Sequence, residues 1–92
     1  MSTLKKLYDK VNREIVPKDI TYIELERLLI KLGFIYNQGK GDHVIFIHAK
    51  YENIRIIIDS NGKRALKAIY IVKVREILEK LLEMGGFDED EL

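Results

Sequence analysis

Apolar and polar positions follow a helical spacing at both ends of the chain and a denser, strand-like pattern in its middle. Near the N-terminus the apolar positions lie three or four residues apart, at Leu4, Leu7, Val11 and Ile15. This spacing predicts an amphipathic helix. The helix should end before Pro17, because the residue that precedes a proline is disfavoured in helical geometry.

A second helix is predicted for residues 22–32 by signals at both of its ends. Thr21 and Glu24 have the spacing of a capping box, in which the hydroxyl and the carboxylate each accept a hydrogen bond from a backbone amide. Gly33 follows at the position where helices often end in a left-handed residue. The buried stripe consists of leucines: Leu25, Leu28, Leu29 and Leu32. This helix is therefore specified by its own local sequence.

Three strands and a closing helix are predicted for the rest of the chain. Apolar runs place the strands at residues 34–38, 43–49 and 53–59 and the closing helix at residues 66–84. Gly39 and Gly41 allow the backbone to turn sharply between the first two strands. Gly85 and Gly86 should end the closing helix, and we expect the acidic residues after them to form a frayed tail.

The order helix, helix, strand, strand, strand, helix predicts one α+β domain built in two layers. Short turns make the three-stranded sheet antiparallel with the second strand in its centre, and the helices should cover one face. This α-β-β-β-α core order is that of double-stranded-RNA-binding domains, here with an extra N-terminal helix. We divide the chain into a helical extension (residues 1–16), the core domain (20–84) and an acidic C-terminal tail (85–92).

Composition narrows the possible functions. The 92 residues provide for one small core. The chain has no cysteine and only two histidines, which excludes disulfides, thiolate zinc sites and cysteine nucleophiles. We predict neither a bound metal nor a cofactor. No apolar run approaches the roughly 20 residues of a membrane-spanning helix, so we expect a cytoplasmic protein that does not bind membranes.

Charge is distributed unevenly although its sum is only +1. Residues 1–39 carry a net charge of +2, residues 40–75 carry +5 and residues 76–92 carry −6. The basic middle favours a polyanion such as RNA, although a solvated charged surface is the alternative. The candidate RNA-binding residues are Lys40, Gly41, Lys50, Arg55, Lys63, Arg64, Lys67 and Lys73.

His43 is the candidate catalytic residue. It follows a glycine-containing turn and begins the central strand, and imidazole is suited to proton transfer near neutral pH. The alternative is a histidine at the end of a strand that merely faces water. His48 lies five positions later, so strand alternation places it on the opposite face of the sheet, where we expect a structural role.

The central strand is apolar on both faces. If Val44 and Phe46 face the helices, then Ile45, Ile47 and Ile57 form an outer patch that no further element of the chain can cover. A contiguous exposed apolar patch often marks an interaction surface. We therefore expect a protein partner or a second copy of the chain to bind there.

Several segments together resemble the HicA family of toxins. They are Leu-Gly-Phe at 32–34, Gly-Lys-Gly-Asp-His-Val-Ile-Phe-Ile-His at 39–48, Leu-Lys at 66–67 and Val-Arg-Glu-Ile-Leu at 74–78. The resemblance covers roughly residues 20–82. Its most specific motif maps onto Gly41, Asp42, His43, Phe46 and His48. Asp42 departs from the family pattern, which usually has serine there, and it places a negative charge beside the histidine.

The resemblance implies a ribonuclease that cleaves messenger RNA and is neutralised by a HicB-type antitoxin in a toxin–antitoxin system. His43 would then be the single catalytic histidine of a metal-independent endoribonuclease. The residues by themselves also allow a non-catalytic RNA-binding module of the same fold, or a small protein-interaction domain. A homodimer is compatible with each of these functions.

Overall fold

A computed structural model describes residues 3–60 and 65–92 and confirms the α+β class and the predicted order of elements. The elements are α1 (Thr3–Val11), α2 (Tyr22–Lys31), β1 (Phe34–Gln38), β2 (His43–His48), β3 (Arg55–Asp59), α3 (Ala68–Glu83) and a short 3-10 helix (Glu89–Glu91). The strands form an antiparallel sheet in the order β1-β2-β3. The second strand is therefore central, as predicted.

The register of the sheet decides which residues face the helices. Phe34 pairs with His48 across β1 and β2, and His43 pairs with Asp59 across β2 and β3. Val44, Phe46 and His48 are buried on the inner face. Residues 43, 45 and 47 consequently face away from the helices, because side chains alternate along a strand.

Helix α2 forms as its local sequence predicts. The Thr21 hydroxyl accepts a hydrogen bond from the Glu24 amide (3.4 Å), and the Glu24 carboxylate accepts one from the Thr21 amide (3.1 Å). Gly33, with a φ of 99°, ends the helix in a left-handed conformation. The four predicted leucines are buried in the core.

The N-terminal helix is shorter than predicted. Helix α1 ends at Val11, and Ile15, which the periodicity places on its buried face, is 84% exposed. The Arg75 guanidinium of α3 donates hydrogen bonds to the carbonyl oxygens of Val11 and Arg13. It thereby satisfies carbonyl groups that a helix C-terminus leaves without partners. Tyr8 is buried and contributes to the core that Ile15 was expected to join.

The C-terminal residues differ from the frayed tail that the sequence predicts. Phe87 packs edge-on against Tyr8, with 5.6 Å between the ring centroids, and Leu92 contacts the core. The Asp88 carboxylate accepts a hydrogen bond from the Asp90 amide (2.9 Å) and caps the short 3-10 helix. Apolar side chains within the acidic segment thus attach it to α1.

Element boundaries differ from the predictions by a few residues. Strand β2 ends at His48, β3 begins at Arg55 and α3 runs from Ala68 to Glu83. Within α3, Ile71 is fully buried, whereas Tyr70 and Ile77 are half-buried. Within residues 3–60 and 65–92, no helix has the length and apolar composition required to cross a lipid bilayer.

Candidate functional site

The turn between β1 and β2 requires glycine at two positions. Gly41 has a φ of 59°, in the left-handed region that glycine adopts readily. A Cβ at Gly39 would lie 2.9 Å from the carbonyl oxygen of His43, the same oxygen that accepts a hydrogen bond from the Gly39 amide. The two glycines therefore fix the geometry of the turn that leads into His43.

The His43 side chain is exposed at the start of the central strand, and its ring has one defined hydrogen bond. Its ring atom Nδ1 lies 3.2 Å from the carbonyl oxygen of Lys40. A carbonyl oxygen can only accept, so Nδ1 carries the proton in this bond. In the neutral ring the lone pair is then on Nε2. The turn consequently orients the imidazole with an unprotonated nitrogen available to solvent, as a general base requires.

Two acidic residues are neighbours of His43, one along the chain and one across the sheet. Asp42 precedes it in the turn, and Asp59 is directly opposite in the register with β3. Ser60 donates hydrogen bonds from its amide (2.7 Å) and its hydroxyl (2.8 Å) to the carbonyl oxygen of Asp42, joining the turn to the end of β3. Sequence reasoning missed Asp59, although the two short turns fix a register that places it there.

The predicted cations are divided between the two ends of the sheet. Lys40 lies in the turn before His43, and Lys67, the residue that precedes α3, lines a small crevice together with Asp59. Lys50 is at the opposite end of β2, where its ammonium group lies 5.6 Å from the centre of the Tyr51 ring. Only some of the predicted cations are therefore close to the histidine.

The remaining predicted RNA-binding residues have separate locations. Arg55 is exposed and its Nε donates to the Glu52 carbonyl oxygen (3.3 Å). Lys73 of α3 lines a groove with Arg55 at the edge of the sheet. Lys63 and Arg64 lie outside the described residues.

A second basic surface lies between α1 and α2, and the sequence analysis did not identify it. Its cations are Lys6, Lys10, Arg13 and Arg27, beside an apolar floor that includes Leu7. Lys10 forms an ion pair with Asp19 (2.8 Å), and this hydrogen bond holds the pKa of the Asp19 carboxyl below its ordinary value. The net charge of residues 1–39 is only +2, because acidic residues are interspersed among these cations.

The outer face of the sheet carries four isoleucines, which we call the isoleucine face: Ile35, Ile45, Ile47 and Ile57. Ile35 is paired with Ile47, and Ile45 with Ile57. Ile35 and Ile57 are 54% and 53% exposed. The predicted patch is thus larger than expected, because Ile35 of β1 extends it.

His48 has the inner-face position predicted for it. It is buried, and its Nε2 donates to the Leu32 carbonyl oxygen (3.0 Å). Its Nδ1 accepts hydrogen bonds from the amides of Lys50 (3.1 Å) and Tyr51 (3.3 Å). The ring therefore connects the end of α2 to the turn between β2 and β3.

Comparisons of the chain with protein-family models, curated proteins and solved structures found no match. In the part of the chain that the structure describes, no three histidine, aspartate or glutamate side chains form a group that could hold a metal ion.

Proposed function

We propose that this protein is a HicA-like ribonuclease that cleaves messenger RNA without a metal ion, with His43 as its general base. The observation that supports this most directly is the hydrogen bond between His43 Nδ1 and the Lys40 carbonyl oxygen. It favours the tautomer whose Nε2 can accept a proton from a ribose 2′-hydroxyl.

The proposed reaction uses the 2′-oxygen of the substrate as the nucleophile. His43 removes its proton, the oxygen attacks the adjacent phosphorus, and the bond to the 5′-oxygen breaks. The products are a 2′,3′-cyclic phosphate and a 5′-hydroxyl that takes its proton from water. Lys40, Lys67 and the Gly41 amide are the groups that would stabilise the negative charge developing on the phosphoryl oxygens.

The rate of RNA cleavage should be modest. A single positioned base contributes about 10² to 10⁴-fold to a reaction. The carboxylates of Asp42 and Asp59 beside His43 oppose the approach of a phosphate rather than assist it. The cations on β3 and α3, such as Arg55 and Lys73, would hold the RNA through its phosphates and make binding sensitive to salt.

Cleavage of an RNA and of a DNA of the same sequence tests this proposal. We expect the purified protein to cut the RNA, with or without a chelator, and to leave 2′,3′-cyclic phosphate ends. The DNA should stay intact because it lacks the 2′-hydroxyl. Salt-sensitive RNA binding without cleavage would instead identify a non-catalytic RNA-binding module. Binding to neither nucleic acid would favour a protein-interaction domain.

We further propose that a HicB-type antitoxin covers the isoleucine face. Burying one isoleucine side chain contributes about 1.5–3 kcal/mol, so the half-exposed members of this face offer enough apolar surface for a stable complex. The face adjoins His43 on the same side of β2. A protein bound there would block access of RNA to the imidazole.

Ile47→Glu should abolish binding of the antitoxin while leaving the isolated domain folded, because Ile47 is outside the core. Calorimetric titration with the protein encoded by the neighbouring reading frame measures the effect. Ile69→Glu is the matched control, since Ile69 is 58% exposed on α3 and away from the sheet. Unfolding of Ile47→Glu with unchanged binding by the folded fraction would argue against this surface.

Asp42→Ser should raise kcat/KM for RNA cleavage roughly fivefold, because two unit charges about 4 Å apart in water interact by about 1 kcal/mol. The Asp42 side chain is exposed, and only its backbone oxygen bonds Ser60. Glu52→Ser, at the far turn of β2, removes the same charge away from His43 and serves as the control. A slower Asp42→Ser enzyme would mean that this carboxylate assists the reaction.

A further inference from the structure

Strand β3 lies at an edge of the sheet, and no other described strand pairs with its outer side. The His48 amide donates to the Ile54 carbonyl oxygen (3.0 Å), and the Ser60 amide donates to that of Asp42 (2.7 Å). These two bonds identify which residue pairs of β2 and β3 are hydrogen-bonded, because hydrogen-bonded and non-hydrogen-bonded pairs alternate along antiparallel strands. The even-numbered residues of β3 therefore pair with β2, and the amides and carbonyls of the odd-numbered residues point outward.

The three residues of β3 whose backbone groups point away from β2 are Arg55, Ile57 and Asp59. Their side chains lie on the outer face of the sheet. In an antiparallel pairing of β3 with a second β3, Ile57 would oppose the partner's Ile57. Arg55 would then oppose the partner's Asp59, and Asp59 the partner's Arg55. The edge is thus complementary to itself in hydrogen bonding, in apolar contact and in charge.

Among the described residues, Arg55 and Asp59 have no ion-pair partner. Within residues 3–60 and 65–92 the ion pairs join Lys5 to Asp9 and Lys10 to Asp19, so neither Arg55 nor Asp59 takes part in one. Oδ1 of Asp59 is buried and has no hydrogen-bond partner in that part of the chain, so the carboxylate would turn outward to meet Arg55 of the second copy. The opposite edge offers no such complementarity, since β1, Phe-Ile-Tyr-Asn-Gln, contains no charged residue.

We propose that two copies of the chain form a twofold symmetric dimer by antiparallel pairing of their β3 strands, centred on Ile57. Such an interface is isologous, with the same residues contributed by both copies. It also covers an exposed strand edge, which otherwise favours uncontrolled association. The two sheets become one continuous sheet.

The dimer is independent of the proposed nuclease activity but has a consequence for it. Both outer faces lie on the same side of the joined sheet, so both copies of His43 face the same way. From ordinary strand spacing and rise, the two histidines are roughly 20 Å apart. Ile45 and Ile47 remain accessible, so the dimer and a partner on the isoleucine face are compatible.

Sedimentation velocity over a wide range of protein concentration tests the dimer. The wild-type chain should be dimeric, and Ile57→Lys should weaken dimerisation at least roughly tenfold by opposing two like charges on the twofold axis. Ile35→Lys is the matched control, because Ile35 is equally exposed on the same face but lies on the other edge strand. A monomeric wild type, or an Ile57→Lys variant that dimerises normally, would overturn the proposal.

Charge reversal tests the register. Arg55→Asp and Asp59→Arg, each confirmed to be folded by circular dichroism, should both be monomeric because each opposes like charges across the interface. Mixed in equal amounts, they should form a heterodimer, since every aspartate then faces an arginine. Failure of the mixture to associate, with both variants folded, would reject this pairing.

Discussion

His43→Ala is expected to reduce RNA cleavage by about 10² to 10⁴-fold, the usual contribution of a positioned general base. The loss should appear mainly in kcat, because the proton is transferred in the transition state and the ring contributes little to holding the RNA. Initial rates on a short synthetic RNA measure it. Induced expression of the wild-type chain should arrest growth, and the variant should not.

The pH–rate profile separates a catalytic role of His43 from a structural one. A general base gives a limb on which the rate rises with pH, and this limb should be present for the wild type and absent from the residual activity of His43→Ala. The ring is exposed and its bond to Lys40 lies within the turn, so the fold should be unchanged. A folded variant that cleaves RNA at the wild-type rate would refute the assignment.

The parts of the fold that the sequence predicted are those that depend on local interactions. The capping box of Thr21 and Glu24, the left-handed Gly33 and the turn before His43 each involve residues within a few positions of one another. Strand alternation then placed His43 outside and His48 inside. These features follow from short-range geometry, which a single sequence contains.

The parts that could not be predicted depend on contacts between distant segments. At the end of helix α1, Arg75, far along the chain, donates a hydrogen bond to the Val11 carbonyl oxygen. The C-terminal segment is ordered by the contact of Phe87 with Tyr8. The number of charged residues in a segment likewise does not show which cations are structural. Arg75 stabilises the fold, whereas Lys67 lies near the candidate site. Such roles are determined only once the elements have packed.

The candidate site was predicted in part. The sequence identified His43 and Lys40, the cation of its turn, but it did not identify Asp59, which pairs with His43 across the sheet. It also grouped Lys50 and Arg55 with Lys40, although they lie at the other end of the sheet. Nearness in sequence did not indicate nearness in space there, because each successive residue along a strand lies about 3.3 Å further from the site.

His48→Ala is expected to lower the free energy of unfolding by roughly 3–5 kcal/mol, from the lost packing and the unsatisfied groups together. Its ring accepts from the amides of Lys50 and Tyr51 and donates to the Leu32 carbonyl oxygen. The ring also packs against Gly33, where an added Cβ would lie 3.0 Å from its Nε2. Truncation removes all of these contacts at once.

Urea denaturation at a fixed protein concentration measures this loss, and the two histidines of β2 are controls for each other. His43→Ala removes the same side chain from an exposed position and should change the unfolding free energy by less than about 0.5 kcal/mol. A domain of this size has a total stability of about 5–15 kcal/mol, so His48→Ala should keep only about 0–2 kcal/mol if the protein is near the lower limit. Equal and small losses for both variants would show that the buried ring does not hold α2 to the β2–β3 turn.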